Sequence, residues 1–241
     1  MNALVVARRD FAAYVYGWYG YLIFALTLAV QGLLFQAWVL GSKDARFSHE
    51  VIEDFFYVHG GFVMVVAVLL AMRSFAEERG DGTWVLLQTS TFRDGQVVLG
   101  KWLAGMGMVV AYNALTLYMP MLIFVNGKLS PAHLASGYLG SVLLGGACMA
   151  IGVFGSSLFR SQLLAGIVSG IIVVGFLTTW MLSEVVESPF NDVAAYMALF
   201  QQHFIPFYEG RLELNGVVYL VSMTWLFLTL TTRVLVGRRW E

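Results

Sequence analysis

The sequence predicts an all-α, polytopic membrane protein. It reads as six transmembrane helices, an N-terminal interfacial helix, a short surface helix within a long cytoplasmic loop, and short outer-leaflet helices between spans five and six. Three observations carry this reading. Of 241 residues, 59% are hydrophobic and 12% charged, where a soluble domain carries roughly 25% charged residues. The mean hydropathy is +0.75. The charges are also spaced so that the intervening stretches reach the roughly 20 apolar residues that a helix needs to cross a bilayer. These stretches are rich in Gly, Leu and Val and lack the alternating segments of about 10 residues that mark barrel strands.

The spans fall near residues 19–40, 56–73, 102–125, 133–158, 162–183 and 215–235. Residues 1 to about 17 precede them, and Arg8-Arg9-Asp10-Phe11 reads as the positive flank of a retained first span. The apolar run that follows is too long for an export signal, whose apolar region has about 7–15 residues. Trp18, Tyr19, Tyr21 and Trp102 suit the aromatic belt at span ends. With the N-terminus inside, Arg8, Arg9, Arg73, Arg79, Arg93, Lys101, Arg160, Arg233, Arg238 and Arg239 are cytoplasmic. Only Lys43, Arg46, Lys128 and Arg211 are then outside, so both termini are predicted to be cytoplasmic.

Loop lengths distinguish the connections. Spans three and four are joined by a turn over 126–131, and spans four and five by little more than Arg160. The segment 73–101 is long and charged, which makes it the largest element open to a cytosolic partner. There Gly80-Asp81-Gly82 should break the helix continuing from span two. Thr83 can cap a short helix over 84–89 lying on the membrane surface. Thr91 and Asp94 fit a capping box opening span three. The whole would form a rigid elbow; an ordinary solvated loop fits the same pattern. The outer segments are 41–54, which is acidic, and 184–213, whose charge-free stretch 193–208 is interrupted by Gln201, Gln202, His203 and Pro206. Nothing divides the chain, so 1–241 reads as one domain.

Several chemistries are excluded. Fifteen acidic against fourteen basic residues leave a net charge of -1, with no electrostatic footprint for nucleic acid. The lone Cys148 cannot build a disulfide or a multi-cysteine metal site. Residues 95–101 spell most of a phosphate-binding loop, but lack the final Ser/Thr and run into a span. Glu77-Glu78 cannot meet His133 or His203 as metal ligands across the bilayer, and His59 is expected to be interfacial or helix-packed. The spans contain almost no ionisable residue, so a proton or sodium relay has no evident seat. Gln31, Gln36, Asn113, Thr116, Thr178 and Thr179 are read as helix-to-helix polar contacts. Ser141, Gly145, Cys148, Gly152 and Ser156 share one face of span four, and Gly166 with Gly170 forms a GxxxG in span five. Both faces should pack against helices of this chain.

Met72-Arg73-Ser74-Phe75-Ala76-Glu77-Glu78-Arg79, Gly82-Thr83, Leu86-Leu87, Thr89-Ser90 and Val98-Leu99-Gly100-Lys101 resemble the cytoplasmic loop of ABC-2 type transporter permeases. The compact six-span branch, with its gliding-motility and nitrous-oxide-reductase-maturation permeases, is the nearest in layout. Arg8-Arg9-Asp10-Phe11 before span one and Ser188-Pro189-Phe190 after span five also match that layout. Val85 and Thr91 depart from it, standing where members carry glutamate and proline.

The resemblance implies a non-catalytic permease subunit in a bacterial or archaeal cytoplasmic membrane. It would pair with a second permease copy or paralogue and with separate cytosolic ABC ATPases, which hold the ATP and magnesium, and this chain would hold no cofactor. The 84–89 helix would be the coupling helix, with Glu77, Glu78, Thr83, Trp84, Leu86, Leu87 and Arg93 at the ATPase contact. ATP hydrolysis would drive export of an unidentified substrate. The alternative expectation is a force- or signal-transmitting scaffold driven by the same kind of ATPase, through which nothing crosses.

Overall fold

The structure, a computed structural model, describes residues 2–39, 47–84, 93–123, 130–187 and 190–238. The described residues are helical and contain no strand. The elements are α1 (Asn2–Tyr16), α2 (Trp18–Leu34) with a π-helical end (Phe35–Val39), α3 (Ser48–Ala71), α4 (Ala76–Gly80), α5 (Asp94–Thr116), α6 (Tyr118–Ile123), α7 (Pro131–Leu158), α8 (Gln162–Val185), α9 (Phe190–Met197), α10 (Ile205–Tyr208) and α11 (Leu214–Gly237). Six helical runs are long and apolar enough to cross a membrane, namely those built on α2, α3, α5, α7, α8 and α11. The chain is a multi-pass membrane protein. Leu86, Leu87 and all of 84–89 beyond Trp84 lie outside the described residues, as do Ser188, Pro189 and most of the turn over 126–131.

α7 is the central post. It packs against α3, α5, α8 and α11, and its small residues are the reason. In lipid no hydrophobic drive brings apolar helices together, so association depends on close backbone approach. Gly137 receives the Phe56 ring, Gly140 the Phe207 side chain, Gly145 both Val109 and Val63, and Gly152 the Ala71 methyl. Gly155 faces Ser169 of α8. The partners of Gly145 and Gly152 are thus helices of the same chain, while Ser141 bonds back to the Gly137 carbonyl at 2.8 Å. In α8 the GxxxG is not the packed face. Gly166 touches Met72, but a Cβ on Gly170 would meet nothing within 4 Å. The residues turned inward are Ala165, Ser169 and Val173, and the helical period sets Gly166 and Gly170 about 100° round from that stripe, at its edge.

The polar residues of the spans also divide. His59, expected to be interfacial or helix-packed, is fully buried among α2, α3 and α5. Its Nδ1 lies 3.1 Å from Gln31 Nε2 and its Nε2 lies 2.9 Å from Asn113 Oδ1. Asn113 Nδ2 donates to the Val109 carbonyl at 2.8 Å, which leaves Oδ1 as the acceptor facing the ring. The imidazole therefore carries its proton on Nε2 and accepts from Gln31 at Nδ1, neutral and satisfied. Tyr112 donates to Gln31 Oε1 and completes the network. Gln31 and Asn113 do link helices, and Thr116 lies 3.4 Å from the Tyr138 hydroxyl. Thr178 and Thr179 bond only within their own helix, and Gln36 is exposed.

Beyond α8, residues 190–210 fold back over the ends of α7 and α11. His203 stacks on Tyr219 at 3.7 Å between ring centroids and meets the Tyr196 carbonyl at 2.8 Å. Burial holds its pKa below the usual histidine range, and the Tyr196 contact opposes that shift. His133 bonds the Tyr208 carbonyl, and Ser136 donates to the Phe207 carbonyl at 2.9 Å. Both histidines therefore serve to pin this segment.

Candidate functional site

The elbow begins where α3 stops. A helix end leaves its last carbonyls without partners, and two tyrosines from the N-terminal region supply donors: Tyr14 reaches the Leu70 carbonyl and Tyr19 the Leu69 carbonyl, each at 2.9 Å. Burial pushes the Tyr14 hydroxyl pKa up. The chain then turns through 72–75 into α4. The Ser156 hydroxyl of α7 fastens this turn, accepting from the N–H groups of Phe75 and Ala76 at 2.9 and 3.0 Å and donating to the Met72 carbonyl at 3.0 Å. Ser156→Ala should leave these buried backbone groups unpaired and cost about 1–3 kcal/mol. Thermal unfolding of the detergent-purified variant measures it, and an unchanged midpoint would mean that the turn stands without the hydroxyl.

α4 ends as the glycines predict. Gly82 adopts φ +73°, a conformation that favours glycine. The Thr83 hydroxyl donates back to the Glu78 carbonyl at 3.3 Å, and the residues it would cap in the expected 84–89 helix lie outside the described residues. Trp84 folds onto the elbow, its ring edge-on to Phe75 at 5.7 Å and under the Arg79 guanidinium at 5.3 Å. α5 is capped differently from the Thr91 expectation. Its N-cap is Arg93, and the Gln96 side chain accepts from the Arg93 N–H at 3.3 Å. Residues 94–101 are helical from the start, so the phosphate-loop spelling forms no loop.

The centre of the site is a group of ions joining α1, α4 and α5. Lys101 is 3% exposed, with its ammonium 2.9 Å from Glu78 and 3.0 Å from Asp10. Arg9 meets the same two carboxylates at 2.8 and 2.7 Å. Burial opposes the charge on Arg9, yet bonding and attraction from Asp10 and Glu78 outweigh it and raise its pKa. Arg73 pairs with Glu77 one turn along and lies 4.2 Å from the Tyr19 ring centroid. These side chains line a cavity of about 380 Å³ between α1, the start of α2 and the elbow, with Ser74, Asp81 and Thr83 also on its wall. Glu78 Oε2 and Ser74 Oγ are buried there without a hydrogen-bond partner. Every cation on the wall already meets a carboxylate, so the cavity is rich in acceptors.

Of the residues read from sequence, Glu77, Glu78, Thr83 and Trp84 come together here. Glu78 turns inward, with its side chain only 17% exposed, so it positions the elbow rather than offering a surface. Arg93 is exposed and does not line the cavity. Lys101, Asp10, Tyr14 and Ser156 were missed as site residues. Ser156 was read only as part of the small-residue face of span four and local sequence held no signal for Tyr14, but the opposite charges of Asp10 and Lys101, each flanking a span, were available as one. Among the described residues, no three His, Cys, Asp or Glu side chains gather as a metal site. Neither a known family model nor any curated protein matches this chain.

Proposed function

We propose that this chain is the membrane permease subunit of an ATP-driven ABC-2 type transporter, which exports an unidentified substrate and takes its energy from a separate cytosolic ATPase. What carries the reading is the anchored elbow. α4 is joined to α3 through the 72–75 turn, to α7 through Ser156, and to α1 and α5 through the Lys101 ion group. A partner that moves the elbow therefore moves several helices at once, a bias between two arrangements rather than chemistry. The resemblance of 72–101 to the permease loop supplies the kind of partner. On this reading both termini are cytoplasmic, α1 lies in the inner interface, 190–210 rests in the outer leaflet, and the outward faces of α2 and α8 meet lipid or a second permease chain.

The test is co-purification in detergent with the ATPases of the host. Thr83 is exposed, and Leu86 falls on the proposed coupling helix. Thr83→Arg with Leu86→Asp should weaken ATPase binding by about 3 kcal/mol, on the order of a hundredfold, by burying unpaired charges at the contact. Thermal stability should change little, because Thr83 is exposed and its one hydrogen bond is to the Glu78 carbonyl, not to the carboxylate that meets Lys101. If no ATPase binds the intact chain under any condition, the proposal fails.

A further inference from the structure

Three guanidinium groups gather where α7 ends. Arg79 of α4 donates to the Ser157 carbonyl, and Arg238, just past α11, donates to the Leu158 carbonyl at 2.9 Å. Arg160 follows in the three-residue link 159–161, with its carbonyl 3.6 Å from where a Gly80 Cβ would stand. The charges of Arg160 and Arg238 both act on Arg79. Carbonyls at a helix C-terminus attract cations, which explains one donor from each of two arginines. A guanidinium has five donors, and among the described residues no carboxylate pairs with Arg79, Arg160 or Arg238. Like charges brought together without a counter-charge repel, so the group is set to receive an anion. Planar guanidiniums match phosphate oxygens two at a time.

The surroundings decide which phosphate. The link joins two apolar helices, so the cluster lies at the depth where spans leave the hydrocarbon. Immediately beyond it on α8, Leu163 is 73% exposed and Leu164 half exposed. A ligand held by the arginines therefore has bare apolar side chains beside it, which suits an amphiphile and not a free ion. We propose that Arg79, Arg160 and Arg238 bind the phosphate of an anionic phospholipid in the leaflet on the elbow side, with its acyl chain along the start of α8. Such a lipid would tie α4, α7, α8 and α11 together at one point.

The purified chain, titrated with phosphatidylglycerol or with phosphatidylcholine of the same acyl chains, provides the test by native mass spectrometry. Phosphatidylglycerol should bind the intact protein more tightly than phosphatidylcholine. Arg160→Gln removes an exposed side chain, and it should weaken phosphatidylglycerol binding about fivefold, the worth of one surface cation toward an anionic leaflet. Arg160→Lys should retain most of the affinity. Arg211→Gln, which alters an exposed arginine in the link before α11, should change nothing. Equal affinity for the two lipids, or Arg160→Gln and Arg211→Gln behaving alike, would overturn the proposal. So would inorganic phosphate in excess displacing the lipid, which would make this a site for a soluble anion.

Discussion

Replacing Lys101 with methionine is expected to destabilise the protein by about 3–5 kcal/mol, the usual consequence of removing one partner from a buried ion group. Methionine keeps the length and most of the volume of the lysine stem, so the loss is electrostatic rather than a cavity. Without the ammonium, Asp10 and Glu78 face Arg9 alone, and Arg9 is 53% exposed. Its attraction is spent partly on water, and it cannot hold two carboxylates away from solvent. Thermal unfolding of the detergent-purified variant reads the effect. A midpoint equal to that of the intact protein would mean that the ions are solvated and that the elbow hangs on its bonds to α7 through Ser156 and Arg79.

A second substitution separates charge from packing. Lys101→Met combined with Glu78→Gln restores the balance of one cation, Arg9, to one carboxylate, Asp10. The double variant should recover more than half of the stability lost in Lys101→Met, because groups in direct contact are not additive. Simple addition of the two losses would show that Lys101 and Glu78 act independently, and the ion group would then not be the joint between α1, α4 and α5.

The span pattern was legible because it depends on local composition: charges end apolar runs whether or not a neighbour is known. The break after α4 was legible for a similar reason, since Gly80-Asp81-Gly82 turns the chain by its own backbone preferences, and Gly82 takes the positive φ that glycine permits. Start signals were less decisive. The sequence pointed to Thr91 and Asp94, but the helix begins at Asp94 with Arg93 as its N-cap and Gln96 accepting from the Arg93 N–H. What could not be read was pairing across the bundle. Asp10 and Lys101 are ninety-one residues apart, and each alone looks like an ordinary flank of a span. His59 takes Gln31 from α2 and Asn113 from α5, so its neutral, satisfied state exists only once three helices have met. The Glu78 carboxylate turns toward Arg9 and Lys101, which the sequence could not show, because charge at the end of a helix does not say which way the side chain turns.

Gly152 and Gly170 put the same question to the sequence and should give opposite answers on substitution. Both stand in small-residue patterns that predict close packing. At Gly152 an added Cβ would lie far inside contact distance of the Ala71 Cβ and 3.7 Å from the Ala71 and Val68 Cα atoms. The obstructing methyl is fixed to backbone and has no torsion by which to move away, so α3 and α7 must separate. Gly152→Ala should therefore cost about 1–3 kcal/mol, and Gly152→Leu more, the ordinary range for overpacking a tight core. The harm extends to the elbow, because Ala71 is the last residue of α3 and Ser156, one turn further along α7, holds the turn that follows. At Gly170 nothing lies within 4 Å. Gly170→Ala should leave stability unchanged or raise it by up to about 1 kcal/mol through helix propensity alone. Thermal unfolding of the two alanine variants side by side decides the matter. If Gly152→Ala is neutral, α3 and α7 are not in contact at this level and the elbow loses its backing. If Gly170→Ala is as damaging as Gly152→Ala, the outer face of α8 is covered by another chain in the purified protein.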